Sequence, residues 1–155
     1  MPIKITCILM VVTLLSCTAK NNNPVLKPSP ISLAGTWQLI KGTVVEKSDT
    51  VITDYTKNIS FIKIINGTHF AFLQHDRKTS KDSTAVFAAG GGTYSLRDNV
   101  YTEHLEYCSD RKWEDNNFTF TVTIKNDTLI QTGVEKIASA GITRINTEKY
   151  IRVKK

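Results

Sequence analysis

The sequence predicts an all-β domain of about eight antiparallel strands, and three observations carry that prediction. From Leu33 onward the apolar residues recur with a period of two, and no stretch keeps the 3.6-residue period of an amphipathic helix. Turn-forming pairs, Asn66-Gly67, Asp98-Asn99 and Asn126-Asp127, stand between such runs at hairpin spacing. Cys108 is the only cysteine after residue 17, so no internal disulfide staples the domain and a packed sheet core must hold it.

The 155-residue chain begins Met-Pro-Ile-Lys, runs almost wholly apolar from Ile5 to Leu15, Cys7 included, and reaches Ser16-Cys17. One early positive charge before about ten apolar residues is the layout of a signal peptide, too short to span a bilayer. The stretch Leu14-Leu15-Ser16-Cys17 resembles the bacterial lipobox. That resemblance implies removal of residues 1–16 and thioether lipidation of Cys17; the competing reading is an ordinary cleaved signal with Cys17 incidental. Residues 17–32 then comprise the lipidated cysteine and a flexible tether, since Thr18 to Pro30 holds three consecutive Asn, three Pro and no large apolar cluster. Residues 33–155 suffice for one domain with its own core and leave no room for a second.

Within that domain the first strand is read over Thr36 to Val45. Ile59 to Ile65 and Thr68 to His75 flank Asn66-Gly67, the strongest short-range hairpin signal in the chain. Both faces of this pair are partly apolar, and the aromatic set Phe61, Phe70 and Phe72 is assigned inward. Thr84 to Ala88 follows, and Gly90-Gly91-Gly92 reads as a bulge or bend that lets a barrel curve. A third hairpin turns at Asp98-Asn99 between Thr93 to Leu96 and Tyr101 to Tyr107. Phe118, Phe120, Val122 and Ile124 alternate with threonines, Leu129 to Thr132 returns, and Thr147 to Val153 comes last. Open edges on so many short strands invite aggregation, and closure into an up-and-down barrel removes them.

With Gly35-Thr36-Trp37 opening the first strand, the chain resembles lipocalins and, more closely, the lipocalin-like, calycin-type barrels of Gram-negative lipoproteins. The run Gly90-Gly91-Gly92-Thr93-Tyr94-Ser95-Leu96 followed by Tyr101-Thr102-Glu103-His104 looks like a segment typical of those domains. The resemblance covers roughly residues 33 to 155. It implies that Trp37 lies across the closed end of the barrel and that an arginine near the last strand packs on it, Arg152 or else Arg144. The chain departs from secreted lipocalins in lacking a disulfide and a long helix before its last strand.

Lys and Arg total 20 against 14 Asp and Glu, a net charge of +6; Lys4 alone precedes Cys17, leaving +5 on the remainder. These basic residues are spread over turns and polar faces, which argues against nucleic acid as a partner and leaves weak attraction to anionic lipid headgroups.

Pairing across Asp98-Asn99 sets Leu96 opposite Tyr101 and Tyr94 opposite Glu103, so Tyr94, Leu96, Tyr101, Glu103, Leu105 and Tyr107 share one face. That aromatic-rich face is read as the interior, with Ser95, Thr102, His104 and Glu106 outward. Glu103 is then an acid among tyrosines, either an anchor for a ligand or a structural carboxylate bonded to Tyr94 or Tyr107. Gln131 falls on the face of Phe118, Phe120 and Val122 and supplies a second interior polar group. Candidate ligand contacts are thus Trp37, Phe70, Phe72, Tyr94, Tyr101, Glu103, Tyr107 and Gln131.

His69 and His75 stand about 20 Å apart along one strand, so they cannot share an ion. Gly90-Gly91-Gly92 lacks the Lys-Ser/Thr of a phosphate loop. With no nucleophile beside a base and no three-ligand metal set in view, the reading is a protein without catalytic residues, metal or cofactor. The expected function is a lipoprotein of the cell envelope, on the outer membrane facing the periplasm, that binds a small apolar or amphipathic ligand and meets the membrane through its N-terminal lipid. The alternative is a structural or protein-interaction module whose barrel is filled by its own side chains.

Overall fold

A computed structural model describes residues 31–77 and 85–154, so the proposed signal peptide, Cys17 and all but the last two residues of the tether lie outside the described residues. The described residues form nine strands: β1 (Gly35–Glu46), β2 (Asp49–Asp54), β3 (Ile59–Ile65), β4 (His69–Asp76), β5 (Phe87–Arg97), β6 (Val100–Cys108), β7 (Asn116–Lys125), β8 (Thr128–Ile137) and β9 (Ile142–Arg152). All neighbours pair antiparallel, and pairing of β1 with β9 closes the ring. The result is a closed eight-stranded up-and-down barrel, the all-β architecture the sequence predicts.

Nine strands fill eight places because β2 and β3 lie end to end. Gly35 to Gln38 of β1 pairs with β3, whereas Lys41 to Glu46 pairs with β2. The Tyr55 N–H donates to the Ile40 carbonyl at 3.0 Å and carries the ladder over the break. The hairpin β1–β2 was not legible in the sequence, since five of the six β2 residues are exposed and show no inward alternation. Thr84 to Ala88 and Thr93 to Leu96, read as two strands, belong to one: β5 runs from Phe87 through the three glycines to Arg97, and Thr84 lies outside the described residues.

The tight turns follow from their residues. Asp98 and Asn126 take positive φ values of 56° and 55°, the left-handed region that Asn and Asp tolerate best after glycine. At the β3–β4 turn the Asn66 side-chain oxygen accepts from the Thr68 and His69 N–H groups, both at 2.8 Å, and fixes the loop from within.

One end of the barrel is sealed. Trp37 is fully buried, its indole N–H donating to the Leu33 carbonyl at 2.8 Å, and Arg152 stacks on the ring with its guanidinium carbon 4.0 Å from the centroid. Burying an indole removes about 200 Å² of largely apolar surface from water, worth about 5 kcal/mol. Arg152, not Arg144, is therefore the arginine on Trp37; Arg144 stacks on Trp113 at 4.6 Å instead. Above Trp37 the core continues through Leu39, Ile65, Phe70, Tyr101, Phe120, Val122 and Leu129.

The barrel wall needs glycine at β5. A side chain on Gly92 would meet the His104 carbonyl oxygen, and one on Gly90 would strike the Phe72 ring. Here the register shifts: Gly91 pairs with Tyr107 but Gly92 pairs with Leu105, so Glu106 is an extra residue in β6. Its carboxylate accepts from the Thr93 N–H and hydroxyl at 3.2 and 2.9 Å.

Candidate functional site

A cavity of about 590 Å³ occupies the half of the barrel away from Trp37, towards the β1–β2 turn and the single 3-10 turns at Arg111–Trp113 and Ala138–Ala140. Strand alternation aims its lining inward: Phe61 and Lys63 from β3, Phe72 from β4, Glu103 and Leu105 from β6, Phe118 and Phe120 from β7, Gln131 and Glu135 from β8, Arg144, Asn146, Glu148 and Tyr150 from β9. The walls are aromatic and aliphatic. The polar groups converge in two clusters.

The deeper cluster starts at Lys63, which lies 3% exposed and pairs with Glu103 across the lumen. Its ammonium nitrogen sits 5.3, 5.5 and 5.8 Å from the ring centroids of Phe70, Tyr101 and Tyr150, within cation–π range. Lys63 also donates to the Gln131 side-chain oxygen at 3.3 Å, and the Gln131 amide donates to Glu148 Oε2 at 2.7 Å. The Tyr150 hydroxyl donates to the same Oε2 at 2.8 Å. Burial pushes the Glu148 carboxyl above the usual carboxylate range, against the pull of Lys63 and the Tyr150 hydrogen bond. Burial, reinforced by the Glu103 and Glu148 charges, drives the Tyr101 and Tyr150 phenols well above 10, so both remain neutral.

The second cluster lies nearer the strand ends. Glu135 accepts from the Arg144 guanidinium at 2.5 Å and from the Asn146 amide at 2.8 Å, and Trp113 supports Arg144 from one side. Three inward carboxylates thus face two inward cations, each cation already engaged by its own acid.

Of the eight residues proposed as ligand contacts, Phe72, Glu103 and Gln131 line the cavity. Trp37, Phe70, Tyr94 and Tyr101 do not: Trp37, Phe70 and Tyr101 belong to the packed core, and Tyr94 packs on Tyr101 while its hydroxyl donates to the Asn66 carbonyl at 2.7 Å. Tyr107 is a correction of a different kind. The extra residue at Glu106 reverses the alternation beyond it, so Tyr107 points outward and is 67% exposed, while Cys108 turns towards the cavity as a free, half-buried thiol at the end of β6.

Sequence reasoning missed Lys63, Glu135, Arg144 and Glu148. The phase was available, because placing Phe61 inward also places Lys63 inward, and Gln131 does the same for Glu135. What was lacking was a reason to accept charges inside a barrel. His69 and His75 are exposed, and among the described residues no group of three or more His, Cys, Asp or Glu is placed to hold a metal ion.

A closed antiparallel barrel with a half-filled lumen and inward polar groups defines the class, one that fits a lipocalin-like calycin fold. Residues 32–155 match the family model described as Domain of unknown function (DUF4488), and the chain belongs to that family. No curated protein matches it.

Proposed function

We propose that this protein is a lipid-anchored, lipocalin-like lipoprotein that holds a small apolar or amphipathic molecule in its barrel. One observation carries the reading: a cavity of about 590 Å³ reaches Glu103 instead of the lumen being filled with side chains. Small-molecule sites combine apolar walls with a few convergent polar groups, and Phe61, Phe72 and Phe118 around Lys63, Glu103 and Gln131 supply both. Binding without turnover is the role, with no cofactor. The lipobox-like Leu14 to Cys17 supports anchoring, and the absence of an acidic run after Cys17 favours the outer membrane, facing the periplasm.

Native mass spectrometry of the protein from its own membranes tests the binding role. A reproducible co-purified mass, displaced by an added amphiphile, supports it; an invariably empty barrel that takes up no fluorescent amphiphile counts against it. Cys17→Ser should release the protein from the membrane fraction, and retention there would sink the anchor. A second reading, an interaction module of the envelope, draws on the outer face of β4 to β6, where Phe87 and Tyr107 stand 66% and 67% exposed beside the glycine run. Cross-linking in membranes should trap one dominant protein partner if that reading holds.

A further inference from the structure

Among the described residues that the strands aim into the cavity, acids and bases do not balance, and the excess lies at Glu148, since Asp110 at the rim pairs with Lys112. Glu103 has Lys63, and Glu135 has Arg144 and Asn146. Among the described residues Glu148 has no cation of its own: its hydrogen bonds come from two neutral donors, Gln131 and Tyr150, and both fall on Oε2. Among the described residues Oε1 has no hydrogen-bond partner, and Glu148 lines the cavity.

The surroundings of Glu148 are aromatic. Its partner across the β1–β9 ladder is Gly42, and the missing side chain there makes room for Tyr55, whose ring carbon would sit 3.0 Å from a Cβ at that position. Tyr55 packs edge-on to Phe61 at 5.8 Å, Phe61 stacks on Phe72 at 5.6 Å, and Tyr150 lies 6.4 Å from Phe61. A carboxylate oxygen beside a contiguous aromatic wall is the arrangement that recognises an ammonium group, by a charge-assisted hydrogen bond and by the negative ring faces. The barrel already holds one cation this way, since Lys63 sits among Phe70, Tyr101, Tyr150 and Glu103.

We infer that the cavity selects protonated amines carrying an apolar or aromatic body, with the ammonium on Glu148 and the body along Tyr55, Phe61 and Phe72. This rests on the ligand-binding reading above and names the ligand class. Among the described lining residues an alkyl carboxylate has no free partner, because Lys63 and Arg144 are both engaged; a neutral alcohol gains the walls but not the charge.

The test is isothermal titration of the full chain with three probes of one shape, 4-phenylbutylamine, 4-phenylbutanol and 4-phenylbutyrate. The amine should bind about tenfold or more tighter than the alcohol, and the carboxylate weakest. Glu148→Gln keeps the size and one acceptor oxygen; it should bring the amine down to about the level of the alcohol. Equal affinity for amine and alcohol in the parent protein, or a tighter carboxylate, overturns the amine assignment and leaves the cavity as a binding site. If none of the three binds, the ligand-binding reading fails and the amine assignment with it. The parent comparison decides the matter even if Glu148→Gln does not fold.

Discussion

Lys63 and Glu103 meet across the lumen from strands three places apart in the ring, with side chains only 4% and 9% exposed. An ion pair so placed ties opposite walls together. Its desolvation is costly, and the compensation comes from the pairing itself, from Gln131 and from the three surrounding rings. Removing one partner strands the other. Lys63→Met should therefore lower unfolding stability by about 3 to 5 kcal/mol, whereas Lys63→Met with Glu103→Leu should recover most of that loss. Urea denaturation of the two variants checks this, and a single variant within about 0.5 kcal/mol of the parent would contradict a buried pair.

Arg152 contributes at the sealed end through geometry as much as charge. It stacks on Trp37 and donates to the Ala34 and Ser32 carbonyls at 2.7 and 3.3 Å, tying the segment before β1 to the last strand. Arg152→Ala should cost about 1 to 3 kcal/mol. Arg152→Lys should restore less than half of it, because an ammonium cannot stack flat and fork to two carbonyls together. Equal midpoints for the lysine variant and the parent protein would show that charge alone matters.

How much of this was readable beforehand depends on which physical signal each feature leaves. Alternation at Phe118 to Ile124 and turn chemistry at Asp98-Asn99 report directly on a half-buried sheet, and the pairs Leu96–Tyr101 and Tyr94–Glu103 occur as predicted. β2 leaves no such signal because it is exposed on both faces. Tyr107 was misplaced because parity was carried straight through a bulge, although the glycine run opposite it already marked the irregularity. The cavity was beyond reach in another sense. Whether Phe61, Phe72 and Phe118 fill the lumen or only line it depends on ring volumes in three dimensions, which alternation does not encode.

The bulge also makes a backbone prediction. At Gly92 an added methyl would collide with the His104 carbonyl, a rigid wall atom, whereas at Gly67 it would meet open space. Gly92→Ala should destabilise the barrel by about 2 to 4 kcal/mol, and Gly67→Ala should stay within about 0.5 kcal/mol of the parent. Comparable thermal shifts for the two would mean that the wall at β5–β6 yields more than its packing implies.

The Glu148 carboxyl gives the fold a pH dependence of definite sign. Burial raises its folded-state pKa above the ordinary 4.5, so between that value and the raised one the native protein holds a proton that the unfolded chain has released. Stability attributable to Glu148 is thus greatest in acid and falls as pH rises through that window. The groups facing it act in both directions: Lys63 and the Tyr150 hydrogen bond favour the charged form, while Glu103 and Glu135 oppose it. Glu148→Gln removes the penalty, so its melting temperature should gain on that of the parent protein from pH 4.5 up through that window and hold a constant advantage above it. Amine binding should follow the reverse course in the parent, tightening with pH as Glu148 surrenders its proton to make way for the ammonium. Melting curves of both proteins from pH 4 to 8, with and without 4-phenylbutylamine, measure the two slopes together. A variant whose advantage shrinks as pH rises would mean that the native protein stabilises the charged carboxylate, reversing the electrostatic order argued for this end of the barrel.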